Sequence, residues 1–217
     1  MRIAATALLT LGLIAGTAQA AETTAAHAGD ATAGATKAAT CTACHGLNGN
    51  SVTPEWPVIA GQNAVYARDQ IKRIRDGQRP SPLMQPVVKD LTDQDIADVA
   101  AHFATQTPAG LEADPSYWQA GEVLYRRGDA ERDIPACAAC HGPVGRGVPA
   151  AGYPALQAQH AVYTVKQLND YAAGVRYNKD DAGRPLAGPN AVMMNTIAMR
   201  LTPEDRRNLA SYIQGMR

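Results

Sequence analysis

The sequence predicts an all-α protein in which one helical unit occurs twice in tandem, and three observations predict it. The chain repeats itself: the segment from Pro57 to Tyr66 matches the segment from Pro154 to Tyr163 at an offset of 97. The match runs on through Gln70 with Gln167, Ile71 with Leu168, Gly77 with Gly174 and Arg79 with Arg176. Helix start signals recur in both halves: Thr92 stands before Asp93 and Asp95, and Thr202 before Pro203, Glu204 and Asp205. The chain is 46% hydrophobic yet holds one Phe and two Trp among 217 residues, an Ala-rich balance that suits small helical domains.

Taken in order, the chain opens with Arg2, an apolar run from Ile3 to Ala15, and Ala18-Gln19-Ala20 before Ala21. This pattern predicts a cleaved secretory signal peptide at residues 1–20 and a periplasmic destination. Residues 21–107 form the first domain, 108–116 the linker with its Pro and Gly residues, and 117–217 the second domain. Each half has a short helix (around 31–39 and 117–127), a Gly/Pro-rich loop, a helix over about 64–76 or 161–173, a methionine-bearing loop and a last helix. Beyond Arg176 the offset grows to 110, so Leu91-Thr92 matches Leu201-Thr202 and the second half holds 13 extra residues. The polar stretch from Tyr177 to Pro189 reads as an inserted loop. With 20 Lys+Arg against 20 Asp+Glu, the chain carries no charge footprint for nucleic acid or an anionic membrane surface.

Four cysteines in an exported protein ordinarily suggest two disulfides. Their spacing argues otherwise, because they fall as Cys41-Thr-Ala-Cys44-His45 and Cys137-Ala-Ala-Cys140-His141. Each is a C-x-x-C-H, the attachment signature for c-type haem. On a helix the two thiols share a face and the imidazole follows beside them, so two thioether bonds and one iron ligand come from a single turn. A zinc site needs further ligands at suitable spacing, and the other histidines (His27, His102 and His160) are scattered. Two bound haem c groups are therefore the expected cofactors, attached at Cys41 and Cys44 and at Cys137 and Cys140, with His45 and His141 as proximal ligands.

Whether each iron keeps an open position decides between carrier and enzyme. Met84 is the sole methionine between His45 and Leu91. In the second half Met193, Met194 and Met199 compete, and the offset of 110 selects Met194, with Met193 as runner-up and Met199 read as a packing residue. The carbonyls of Pro57 and Pro154 are candidate acceptors for the proximal imidazoles, and Tyr66, Tyr163, Arg79 and Arg176 are candidate partners for haem propionates. His102 aligns with Tyr212 and reads as a surface or packing residue, whereas His160 aligns with Asn63 and has no role that the repeat supports.

These residues resemble the dihaem cytochrome c4 family, tandem class I cytochrome c domains. The first half supplies Cys41-x-x-Cys44-His45-Gly46, Pro57-x-x-x-Gly61-Gln62, Met84 and Leu91-Thr92. The second supplies Cys137-x-x-Cys140-His141-Gly142, Gly152-Tyr153-Pro154, Met194 and Ser211-Tyr212-Ile213. Two departures stand out: Ala158 where the first half has Gly61, and the longer loop before Met193-Met194. The resemblance implies an all-α protein with each domain wrapped around one covalent haem c, irons held by His45 with Met84 and His141 with Met194, and haems facing each other with propionates close. It implies a periplasmic electron carrier of the respiratory chain, soluble or loosely membrane-associated, taking electrons from an upstream donor and feeding a membrane terminal oxidase. The alternatives are an electron-accepting subunit of a periplasmic dehydrogenase, such as a flavoprotein sulfide dehydrogenase, and a dihaem peroxidase-type enzyme with one open iron. A methionine in each half and the absence of a spare cysteine argue against the enzyme.

Overall fold

A computed structural model describes residues 28–217, so the predicted signal peptide at 1–20 lies outside the described residues. Among the described residues the chain is helical, with three isolated β-bridges and no longer strand. The first half comprises α1 (Ala31–Lys37), a 3₁₀ turn (Ala38–Cys41), α2 (Thr42–His45), α3 (Ala64–Arg75), α4 (Gln85–Val88) and α5 (Asp93–Ala104). The second comprises α6 (Trp118–Arg127), α7 (Ala138–His141), α8 (Ala161–Ala172), α9 (Pro189–Arg200) and α10 (Pro203–Gly215). No helix among the described residues is long and apolar enough to cross a membrane.

Local chemistry sets where these helices begin. Asp30 caps α1 by accepting from the N–H groups of Thr32 and Ala33. Thr92 and Thr202 each form a capping box, their hydroxyls accepting from the N–H of Asp95 or Asp205 while that carboxylate accepts from the threonine N–H. In each half the first helix then crosses the last, α1 on α5 and α6 on α10. Glycine makes these crossings possible: a Cβ on Gly34 would lie 2.0 Å from the Asp98 carbonyl oxygen, and one on Gly121 2.0 Å from that of Asn208. Lys37 ties the first crossing together with ion pairs of 2.7 Å to both Asp95 and Asp98. Ala38, Val99 and Phe103 form the small core of the first half, and Tyr125, Leu209 and Ile213 centre the larger one of the second.

The methionine-bearing segment differs from expectation in the second half. Met84 does precede the short α4, as its N-cap, but Met193, Met194 and Met199 all lie on the twelve-residue helix α9 rather than in a loop. The inserted residues end in Gly188-Pro189, and proline at the first helical position starts a helix where the first half has room for one turn. Met199 does not pack: it is 68% exposed, because Ala191 and Ala198, two turns apart, take the inward positions of α9.

The connections are pinned. Asn50 holds the start of the linker, donating to the Thr107 carbonyl and accepting from the Ala109 N–H. Ser211 and Gln214 of α10 hold its end through the Asp114 N–H and the Glu112 carbonyl. The inserted loop is no free excursion either. It docks on the first half, with the Asn178 N–H and side chain donating to the carbonyls of Gln78 and Gly77, and Arg73 donating to the Leu186 carbonyl.

Candidate functional site

Each C-x-x-C-H occupies one tight helical turn. Cys41 closes the 3₁₀ turn that leads into α2, and Cys137 is the N-cap of α7. The histidine closing each turn is buried, with Nδ1 2.9 Å from the Pro57 carbonyl oxygen for His45 and 3.0 Å from that of Pro154 for His141. A carbonyl can only accept, so Nδ1 carries the proton and Nε2 keeps the lone pair that an iron requires. Burial pushes both imidazole pKa values below the ordinary range, the carbonyl bond opposing it.

A cavity of about 690 Å³ opens beside His141. Cys137, Cys140, Leu168, Met194 and Ile197 border it, and it extends to Tyr66 and Gln70 of the first half. Met193 borders it too but is 37% exposed, whereas Met194 is half-buried. Met84 sits half-buried at the head of α4, which packs on α3.

The wall chemistry fits a haem. The lining is largely apolar, and Arg176, 5% exposed, borders the cavity against the rings of Tyr171 and Tyr177, its Nε and Nη1 lacking a hydrogen-bond partner. Two nitrogens without a hydrogen-bond acceptor on a buried cation are costly unless an anion meets them, and a propionate carboxylate has the required charge and shape. The remaining guanidinium nitrogen, Nη2, donates to the Tyr66 hydroxyl at 2.9 Å, while Arg79 donates to the Tyr163 hydroxyl at 3.1 Å. The four residues are thus brought together as two pairs, each joining an arginine of one half to a tyrosine of the other.

That crossed arrangement runs through the whole interface. Gln62 forms a two-bond clamp on Ala155, donating to its carbonyl and accepting its N–H, both at 2.9 Å. Gln159 forms the matching clamp on Val58, at 2.8 and 2.9 Å. Asn63 donates to the Tyr153 carbonyl, and His160 does the same to that of Ser51 through Nε2. His160 therefore shares an interface role with its repeat partner Asn63, one that aligning the repeats does not reveal. Gln62 and Gln159 have roles that spacing alone does not reveal, and both repeats hold glutamine there although the preceding residue is Gly61 in one and Ala158 in the other. The divergence is tolerated at the backbone, since Gly61 and Ala158 adopt the same left-handed turn, with φ of 66° and 55°.

Two helical units in tandem, each presenting a C-x-x-C-H turn with a carbonyl-oriented histidine, define a c-type cytochrome with two domains. The family model for cytochrome c matches residues 31–107 and 119–217. The chain is 43% identical over 210 residues to cytochrome c4 of Pseudomonas aeruginosa, covering 96% of each protein. Its fold matches the crystal structure of reduced recombinant cytochrome c4 from Pseudomonas stutzeri with a TM-score of 0.80 and 39% identity, over 88% of this chain and 100% of that one. It is also 35% identical over 176 residues to a thiosulfate dehydrogenase electron acceptor of Stutzerimonas stutzeri, covering 79% of this chain and 76% of that protein. The chain belongs to the dihaem cytochrome c4 family. As such it is an electron-transfer protein rather than an enzyme, and it carries two covalently bound haem c groups.

Proposed function

We propose that this protein is a periplasmic carrier of the respiratory chain that accepts electrons from an upstream donor and passes them to a membrane terminal oxidase. In this reading Cys41 with Cys44 and Cys137 with Cys140 form the thioether bonds, while His45 with Met84 and His141 with Met194 ligate the irons. Export with removal of residues 1–20, and domains at 21–107 and 117–217 joined by 108–116, belong to the same reading. When bound, each haem supplies a one-electron centre whose potential is set by its axial ligands and surroundings. The chain's own residues orient the proximal imidazoles through Pro57 and Pro154, meet propionate charge with Arg176 and Arg79, and exclude water with the apolar cavity wall.

The observation that carries this proposal is that Met194 and His141 border the same cavity. An iron closed on both sides by protein ligands suits electron transfer and leaves no place for a small-molecule substrate. Lys+Arg and Asp+Glu number 7 and 9 in residues 21–107, and 12 and 11 in residues 108–217, so long-range steering contributes little to partner choice. A second reading, the electron-accepting partner of a periplasmic dehydrogenase, is favoured by the similarity to a thiosulfate dehydrogenase electron acceptor. Comparing the rates at which a dehydrogenase reduces the protein and an oxidase-bearing membrane oxidises it separates the two.

Absorption spectroscopy of the mature protein with haem quantified per chain tests the carrier proposal. The expected result is two haems, both with the methionine-to-ferric charge-transfer band and neither binding carbon monoxide when reduced. Half of that band, together with carbon monoxide binding at one haem, would overturn it.

A further inference from the structure

We propose that Gln62 and Gln159 are positioning residues that tune the haem of the opposite domain through the peptide group holding its proximal histidine. The inference rests on His45 and His141 being the proximal ligands. The Pro57 carbonyl, which accepts from His45 Nδ1 at 2.9 Å, and the Val58 N–H, which donates to Gln159 Oε1 at 2.9 Å, belong to one peptide unit. The Pro154 carbonyl accepts from His141 Nδ1 at 3.0 Å, and the Ala155 N–H of the same peptide unit donates to Gln62 Oε1 at 2.9 Å. A glutamine of each domain is therefore two hydrogen bonds and one amide away from the other domain's imidazole.

Three features show that this is a built arrangement. Each glutamine also donates Nε2 to the carbonyl of the residue it clamps, which fixes which end of its amide faces the N–H. Each Oε1 accepts in addition from the next N–H of its own chain segment, Asn63 for Gln62 and His160 for Gln159, which holds the side chain in place. The same geometry occurs twice, related by the repeat.

The physical consequence follows from hydrogen-bond cooperativity. An acceptor on the N–H side of an amide shifts electron density to its carbonyl oxygen and makes it a better acceptor. The hydrogen bond donated by the histidine Nδ1–H strengthens, the imidazole becomes more basic, and the oxidised iron gains relative to the reduced. Removing the glutamine weakens this chain and raises the potential of the haem across the interface, leaving the haem of the glutamine's own domain unchanged.

The test uses the full-length holo-cytochrome with Gln159→Leu and Gln62→Leu, titrated potentiometrically, with paramagnetic proton NMR to assign each haem and follow exchange of the two Nδ1–H protons. Gln159→Leu is expected to raise the potential of the His45 haem and speed exchange at His45, and Gln62→Leu to do the same at His141. His160→Ala, which removes the ring's bond to the Ser51 carbonyl and keeps the backbone N–H that holds Gln159, is expected to produce no such selective shift. Gln159→Met and Gln62→Met keep the side-chain length and take over if a leucine variant fails to fold. Equal shifts at both haems, a shift at the variant's own haem, or unchanged potentials would overturn the relay while leaving the ligand assignment standing. A wild-type spectrum whose haem-bound imidazoles are not His45 and His141 would overturn both together.

Discussion

Met193 and Met194 are adjacent on α9, yet the helix turns them differently: Met193 is 37% exposed, Met194 is half-buried, and both reach the cavity beside His141. Met194→Ala is expected to halve the methionine-to-ferric charge-transfer band and let one reduced haem bind carbon monoxide. Met193→Ala leaves both features intact, and absorption spectra of the two variants decide between them. Arg176 makes a second prediction at this scale. A buried positive charge opposes the extra positive charge of oxidised iron, so Arg176→Leu lowers a midpoint potential, measured by voltammetry. Neither residue's setting could be read from its neighbours in sequence. The repeat singles out Met194 by register, but its exposure relative to Met193 depends on the helix that the insertion starts.

At the scale of elements, the crossing of the first and last helices of each half depends on Gly34 and Gly121. An alanine methyl there would strike backbone at 2.0 Å, and backbone cannot move aside as a side-chain tip can. Gly34→Ala and Gly121→Ala are each expected to cost about 1–3 kcal/mol, the usual range for overpacking, or more, as chemical denaturation of the holo-protein would measure. The cap of α5 carries a pH dependence. Lys37, and after it Thr92, hold the Asp95 carboxylate at about 2, below its ordinary value. Because the folded pKa is the lower one, this contribution is fully present above about pH 4 and is lost as pH falls towards 2. An acid titration followed by circular dichroism should show a shallower decline in that window for Asp95→Asn. Thr92→Ala should cost about 1 kcal/mol at neutral pH, the typical value of an N-cap. The N-caps at Thr92 and Thr202 are legible in the sequence because a cap is a contact between residues three apart. The glycine crossings are not, because Gly34 meets Asp98 and Gly121 meets Asn208 only after the helices have packed.

Across the whole molecule, the two halves are joined by more than the linker. The inserted loop places Tyr177 and Asn178 on the first half, with the Tyr177 hydroxyl donating to Gln70 and Asn178 bound to Gly77 and Gln78. A Tyr177→Phe, Asn178→Ala double variant is expected to loosen this docking, so that thermal unfolding followed at each haem separates into two transitions where the parent shows one. By composition the loop is a polar connection with Gly and Pro. Its docking partner lies some hundred residues away, beyond any local pattern.

Taken alone, the sequence determined the all-α class, the duplication, the two helical C-x-x-C-H turns and the capped final helices. All of these rest on periodicity, spacing or contacts within one turn, for which chain order is enough. The tertiary structure alone decided which side of α9 faces the cavity, which glycines carry the helix crossings, and how Gln62, Gln159, Asn63 and His160 reach across to the opposite half. Those outcomes depend on where two separately folded surfaces meet. A repeat shows that the halves are alike, but the orientation in which they dock is set by shape and by the pairing of buried polar groups, which appear only once both surfaces exist.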